Sequence, residues 1–559
     1  MYGEALEDGR PALGDDLAMR RHADVPMAAM WTYDRAGKPR PTLLGDLRGA
    51  ASVAHLYGQT IVAAESFTSG LAPWAFAPAD LKRVVDLEFA SGINRPVIHT
   101  SVHQPVDDKL PGLSLAIFGQ YFNRHESWAE MARPWIDYIA RSSYMLQQGR
   151  NVADVAYFYG EEAPLTALFA RAPLGDTPTH YGYDFVNADA LTQDLSVAKG
   201  SVVSSGGARY RALYLGGSAQ RMTLPVLRRL ATLVEQGATL IGDAPTGSPA
   251  LGDDRAAFSA LVRRLWSGTP VTTIGTGRVI AGHDVEAALA GTGLLPDFAY
   301  TKPAPDSEFL FAHRALADGD VYFVTNRRNR AERIAARFRV TGKVPELWHA
   351  DTGRRSAVSY RIEGGQTIVP LDLAGEEAVF VVFRREATDA SVTRAAPPSR
   401  TVARMDGPWT VTFQPGRGAP ATTTLAQLAP LNENASPAIR YFSGVASYAA
   451  ALDLPRTLDR ATPLLLDLGQ VGDLAEVRVN GVAVGTVWHA PYRIDIAAAA
   501  RPGRNRIEVR VANLWVNRLI GDAQPGARKL TWTAMPSYRA DAPLRASGLI
   551  GPVTVLAAP

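Results

Sequence analysis

A change of hydrophobic period along the chain constrains its fold more than any other feature. Up to about residue 265, short apolar runs alternate with longer stretches whose apolar residues recur every three or four positions. Beyond that point, apolar and polar residues tend to alternate singly. The first pattern belongs to parallel strands covered by helices, the second to antiparallel sheets with one solvated face. One core cannot serve both, and 559 residues suggest about three or four domains. The expected fold class is multidomain, α/β followed by all-β.

Val25–Trp31 predicts a strand, with Pro26 tolerated only at its start. Leu43–Tyr57 carries Leu44, Leu47, Ala51, Ala54 and Leu56 at helical spacing and ends at Gly58, a C-cap signal. A strand Ile61–Glu65 follows. Then come a helix Pro78–Ala90 with an inner face of Leu81, Val84, Val85 and Phe89, a strand Pro96–Val102 and a long helix Trp128–Gln148. Three strand–helix units over residues 1–150 predict the C-terminal part of a (β/α)8 barrel, which closes only with eight units and about 250 residues. The opening Met1–Asp8 shows neither strand nor helix, and no signal peptide. Residues 151–265 predict a flavodoxin-like α/β domain, with strands Val155–Tyr159, Tyr183–Asn187, Ala212–Leu215 and Ala238–Gly242 and an amphipathic helix Leu224–Gln236. Gly206-Gly207 and Gly216-Gly217 read as turns, since neither fits a strand–GxGxxG–helix fingerprint. Residues 266–390 predict a small β-sandwich, 386–400 with Pro397-Pro398 a linker, and 401–559 a second all-β unit. In the last, Asn480-Gly481 marks a two-residue hairpin turn.

Composition excludes several function classes. Hydrophobic content of 47% and charged content of 20% are those of an ordinary soluble protein. A formal charge of +3 without a basic stripe argues against nucleic acid. The absence of cysteine removes disulfides, thiolate catalysis and Cys-ligated metals. No apolar run reaches the length of a membrane span.

Glu65 closes an apolar strand and is followed by Ser66-Phe67-Thr68-Ser69. Barrel enzymes carry their catalytic groups at the C-terminal ends of strands, so Glu65 is the candidate catalytic carboxylate; the alternative is a cap on the next helix. His99 and His103 stand four apart beside Gln104 and Asp107. As strand residues they share a face and could bond sugar hydroxyls, with Asp107 helping to bind a cation; the alternative for His99 is a packed strand histidine. Zinc is disfavoured, because the segment is not helical and no Glu follows the first His. Trp31 could stack on a sugar or belong to the core. Arg124 could clamp a pocket or pair with Glu126 or Asp137. Trp128 and Trp135 read as core, and Trp488, His489 and Tyr492 as sandwich packing rather than a sugar surface.

A series of ordered segments is more specific than any of these residues alone. They are Ala23-Asp24-Val25-Pro26-Met27, Gly49-Ala50-Ala51, Ala54-His55-Leu56-Tyr57-Gly58 and Ala63-Ala64-Glu65-Ser66-Phe67-Thr68-Ser69. After them come His99-Thr100-Ser101-Val102-His103-Gln104-Pro105, Pro111-Gly112, Gly119-Gln120-Tyr121-Phe122-Asn123-Arg124, Trp128 and Gln147-Gln148-Gly149-Arg150-Asn151-Val152-Ala153-Asp154. In this order they resemble the α-L-rhamnosidases of glycoside hydrolase family 106. Val479-Asn480-Gly481 and Ala512-Asn513-Leu514 resemble the galactose-binding-like jelly roll shared with the family 2 β-galactosidase group. The resemblance implies hydrolysis of terminal α-L-rhamnosides in an oligosaccharide or glycoside, with inversion and with calcium assistance. It places Glu65 on the base or calcium side, with Asp107 as a second candidate metal ligand. Trp31, His99, His103, Gln104 and Arg124 are the candidate substrate contacts. It also implies a periplasmic or extracellular location. Two departures stand out. The family's general acid comes from an earlier barrel strand, whereas Glu4 and Glu7 precede any strand placed here. The segment Ala28-Ala29-Met30-Trp31 holds no carboxylate where some members have one. The chain is therefore expected to be weakly active or inactive by itself. Two alternatives stay open. A β-galactosidase-like retaining enzyme would show two strand-end glutamates, where one is found. A non-catalytic carbohydrate-binding protein would keep sugar binding in Glu65→Gln.

Overall fold

In the computed structural model, β1 (Tyr2–Gly3), β2 (Val25–Trp31), β3 (Ala63–Thr68) and β4 (Arg95–Ile98) lie side by side in that order, with β1 parallel to β2. The helices α1 (Asp16–Arg20), α2 (Pro41–Tyr57) and α3 (Pro78–Ala90) fall between successive strands, and α4 (Arg133–Leu146) follows. All residues are described except 5–14, 36, 71, 162–173, 269, 395–398, 458–462 and 558–559. Glu7, Asp8, Pro397 and Pro398 therefore lie outside the described residues.

β2 and α3 have the limits that their patterns predict. α2 starts at Pro41, whose fixed φ suits a first turn. It stops at Gly58, which takes φ 81° and donates its N–H to Ala54 O. Four expectations are corrected. β1 carries no periodic signal and exists by pairing Tyr2 with Val25 and Gly3 with Pro26. β3 begins at Ala63, after Ile61 and Val62, because Val62 N–H is taken by the Asn94 side chain at 2.9 Å. Glu65 is thus the third of six strand residues, not the last. β4 ends at Ile98, because beyond it the backbone bonds to another segment: Thr100 to Gln120 and Phe122 to Thr100. His99 and His103 therefore follow the strand, and their shared-face argument falls. The long helix splits into a 3-10 turn, Ala129–Met131, and α4. α4 opens at Arg133 with Pro134 in its first turn, a position that proline suits.

The chain forms two compact units. The first comprises Met1–Ser66, Val85–Val97 and Ala140–Thr393, the second Phe67–Val84, Ile98–Ile139 and Arg394–Pro559. In the first, a six-stranded sheet has the order Val271–Ile274, Gly277–Ile280, Thr239–Ile241, Ala212–Leu215, Val155–Phe158, Tyr183–Val186. All its neighbours are parallel except the edge hairpin of the first two. Val155–Phe158 and Ala212–Leu215 are buried at every position, as parallel strands with both faces covered must be. Val53 and Leu56 of α2 join this core. Two antiparallel sheets follow, built from residues 298–392 with Arg150–Asn151 at the edge of one. Ser391–Val392 pairs with Tyr360–Arg361, so part of the expected linker is strand.

β2 is fixed by charges that sequence reading missed. Arg20 lies buried between Asp16, at 2.6 Å, and Asp46. Its Nε donates to Met27 O at 3.0 Å, while Asp46 accepts the Ala29 N–H at 2.7 Å. Burial pushes the Asp16 carboxyl up to about 7, against the pull of Arg20.

The second unit contains a six-stranded and a four-stranded sheet around one core. Its Val479–Val482 hairpin turns through Asn480 (φ 53°) and Gly481 (φ 85°), the two positive φ values that a type I′ turn requires. No helix among the described residues is long and apolar enough to cross a membrane.

Candidate functional site

Five of the six residues of β3 are buried; Glu65 alone keeps partial solvent access. A carboxylate on a strand so enclosed is held in place while still reaching water. The next residue ties the strand to α3. Ser66 Oγ lies 2.8 Å from Glu88 Oε2 and 3.1 Å from Ala64 O. Glu88 is fully buried and its other carboxyl oxygen has no partner. Burial pushes Glu88 well above the usual carboxylate range. The hydroxyl of Ser66 has one hydrogen for two acceptors. A neutral Glu88 resolves this: it donates to Ser66, and Ser66 donates to Ala64.

Phe67 follows at φ 77°, a conformation that costs a non-glycine residue about 1–3 kcal/mol. Its ring is clamped by Trp135 at 5.7 Å and Phe122 at 6.0 Å, and Phe122 stacks on Trp135 at 5.8 Å. Trp128 joins the group edge-on to Trp135 at 5.6 Å. Both tryptophans are core, although Trp128 lies outside α4. Trp488 and Tyr492 are likewise buried, and Trp488 packs on Tyr138 at 5.4 Å.

The candidate substrate contacts have these surroundings. Trp31 ends β2 with the Arg40 guanidinium 5.0 Å from its ring centre. His99 Nδ1 lies 3.1 Å from Thr68 Oγ1. His103 is exposed. Gln104 is buried with its amide turned to the backbone: Oε1 accepts from Leu113 N–H at 2.9 Å, and Nε2 donates to Leu113 O at 3.0 Å. Arg124 pairs with Asp107 at 2.7 Å and donates to Gln104 O at 2.8 Å. Neither alternative partner expected for it is used: Asp137 is taken by Arg133 at 2.8 Å, and Glu126 is buried. Gln104, Asp107 and Arg124 are thus brought together as a braced loop.

Calcium takes about six to eight oxygen ligands. Among the described residues, no three His, Asp or Glu side chains are grouped to hold a metal ion. Asp107 is exposed and bound to Arg124 and His125. The described residues do not fit a calcium ion by themselves.

A sequence model of glycoside hydrolase family 106, described as alpha-L-rhamnosidase, matches residues 1–362. The chain belongs to glycoside hydrolase family 106. The family 106 match includes β1–β4 and Glu65 and ends before the C-terminal sandwich. A solved rhamnosidase from Novosphingobium sp. PP1Y is 59% identical over 99% of this chain, with a TM-score of 0.95, and the match covers 53% of that protein. A putative beta-glucuronidase of Formosa agariphila is 37% identical over 385 residues, which is 67% of this chain and 31% of that protein. The chain thus spans about half the length of the first relative and about a third of the second.

Proposed function

We propose that this family 106 chain is part of an α-L-rhamnosidase that removes terminal α-L-rhamnose from a glycan or glycoside, with Glu65 as the general base. One observation carries the assignment of the base: within an otherwise buried strand covered by the family match, Glu65 alone keeps access to solvent. In an inverting reaction, Glu65 takes a proton from the water that attacks the anomeric carbon. A second carboxyl group, about 6.5–9.5 Å away, protonates the leaving oxygen. The carboxyl bonded to β3, Glu88, is fully buried and does not reach a substrate. By family resemblance the general acid comes from an earlier barrel strand, and no described residue is assigned to that role. Positioned acid catalysis contributes about 10²–10⁴-fold, and turnover by this chain should be lower by that factor.

The same reading takes β1–β4 with their helices as the C-terminal part of a (β/α)8 barrel. The parallel pairing of β1 with β2 and the helices between successive strands support it. Trp31, His99, His103 and Arg124 are the proposed sugar contacts, and Gln104 supports them through the backbone it braces. Calcium assistance and a periplasmic or extracellular location rest on family resemblance.

The test is hydrolysis of p-nitrophenyl α-L-rhamnoside, run beside the Novosphingobium enzyme. A residual rate about 10²–10⁴-fold lower, abolished in Glu65→Gln, is expected. Turnover that survives Glu65→Gln would overturn the base assignment. Rhamnose binding with no turnover, unchanged in Glu65→Gln, would favour a binding-only protein.

A further inference from the structure

A cavity of about 400 Å³ lies in the second unit, with Arg124, Glu126, Ser127, Glu130, Arg417 and Ser447 among its walls. Its volume is that of a small-ligand site. Its polar groups are unevenly satisfied. Arg124 is neutralised by Asp107. Arg417 has no ion-pair partner among the described residues; its guanidinium rests over the Trp515 ring at 4.3 Å. Glu126 accepts the Ser127 N–H at 3.2 Å through one carboxyl oxygen, while its other oxygen and the Ser127 hydroxyl have no partner. Burial pushes the Glu126 carboxyl well above the usual carboxylate range, which disfavours a negative charge at this wall. The half-buried Arg417 guanidinium is therefore left without an acceptor in the cavity wall, and an unmatched donor marks a place where a partner is expected. Glu130, also in the wall, is exposed to solvent.

We propose that this cavity binds a sugar residue that carries a carboxylate, with Arg417 as the partner of that carboxylate. The anionic half of the assignment comes from the cavity itself. The sugar half rests on the proposed glycoside function.

Saturation-transfer NMR on the full chain tests this, with D-glucuronate as the probe and D-glucose and acetate as counterparts. D-glucuronate should bind at least about tenfold more tightly than either. Arg417→Gln removes the guanidinium and should weaken D-glucuronate binding about tenfold. Arg417→Lys keeps the charge and should bind more tightly than Arg417→Gln, which separates loss of charge from loss of packing. Equal binding of D-glucose and D-glucuronate, or unchanged binding in Arg417→Gln, would overturn the carboxylate assignment. Acetate binding as tightly as D-glucuronate would overturn the sugar assignment. Rhamnoside turnover is not part of this readout, so failure at Glu65 and failure at Arg417 are told apart.

Discussion

A neutral Glu88 behind Ser66 has a consequence that can be measured. Burial raises its folded-state pKa well above the ordinary 4.5. Below about 4.5 the carboxyl is protonated in both folded and unfolded chains and favours neither. Above that, the unfolded chain releases a proton that the folded chain keeps. Stability contributed at low pH is therefore lost as pH rises toward the folded value. Glu88→Gln removes this slope. Its melting temperature relative to the wild type should climb between pH 4.5 and pH 7, followed by differential scanning fluorimetry. A pH-independent difference would mean that Glu88 is ionised in the fold.

Between elements, His313 works in the opposite chemical sense but with the same sign. It sits on the strand Phe309–Ala315, with Nδ1 3.0 Å from Asp297 and Nε2 3.0 Å from Asp320. Its ring stacks on Tyr322 at 3.9 Å, and the Tyr322 hydroxyl donates to Asp297 at 2.8 Å. Burial alone would lower its pKa, but the two carboxylates raise it to about 9. The stabilisation is complete below about 6.5 and is lost as pH rises through about 9. The first unit should therefore melt at progressively lower temperature between pH 7 and pH 10, and His313→Gln should flatten that dependence. An identical pH profile in the variant would show that the imidazolium carries none of it. A β-sandwich over this stretch was legible in outline from its alternation, although the strand Phe309–Ala315 was not read from it. The clamp was not, because Asp297, His313 and Tyr322 look unremarkable until antiparallel pairing brings them together.

At the scale of the whole molecule, calcium is the sharpest question. A cation held at 100 times its dissociation constant would add about 2.7 kcal/mol of stability. No cluster of three ligating side chains is present among the described residues. Adding a chelator should therefore leave the melting temperature of this chain unchanged, whereas a drop of several degrees would show a complete calcium site within it. The coverage of about half of the Novosphingobium rhamnosidase makes the same comparison on that longer protein informative.

Features set by contiguous residues were readable in the sequence. β2 and α3 have the expected limits, because side-chain period and Pro78 act locally. Gly58 and Asn480-Gly481 adopt positive φ, a steric preference that belongs to the residue itself. The family was legible for a related reason, since its segments recur in order along one stretch. Tertiary structure alone decided which groups meet. It turned Gln104 to the backbone of Leu113, gave Arg124 to Asp107 and placed Glu65 within β3 rather than at its end. It also joined Ser66 to Glu88 across 22 positions and Arg20 to Asp46 across 26. A hydrogen bond or ion pair depends on distance in space. Hydrophobic period does not specify that distance, so the charged and neutral states of these buried groups are set only when the chain has folded.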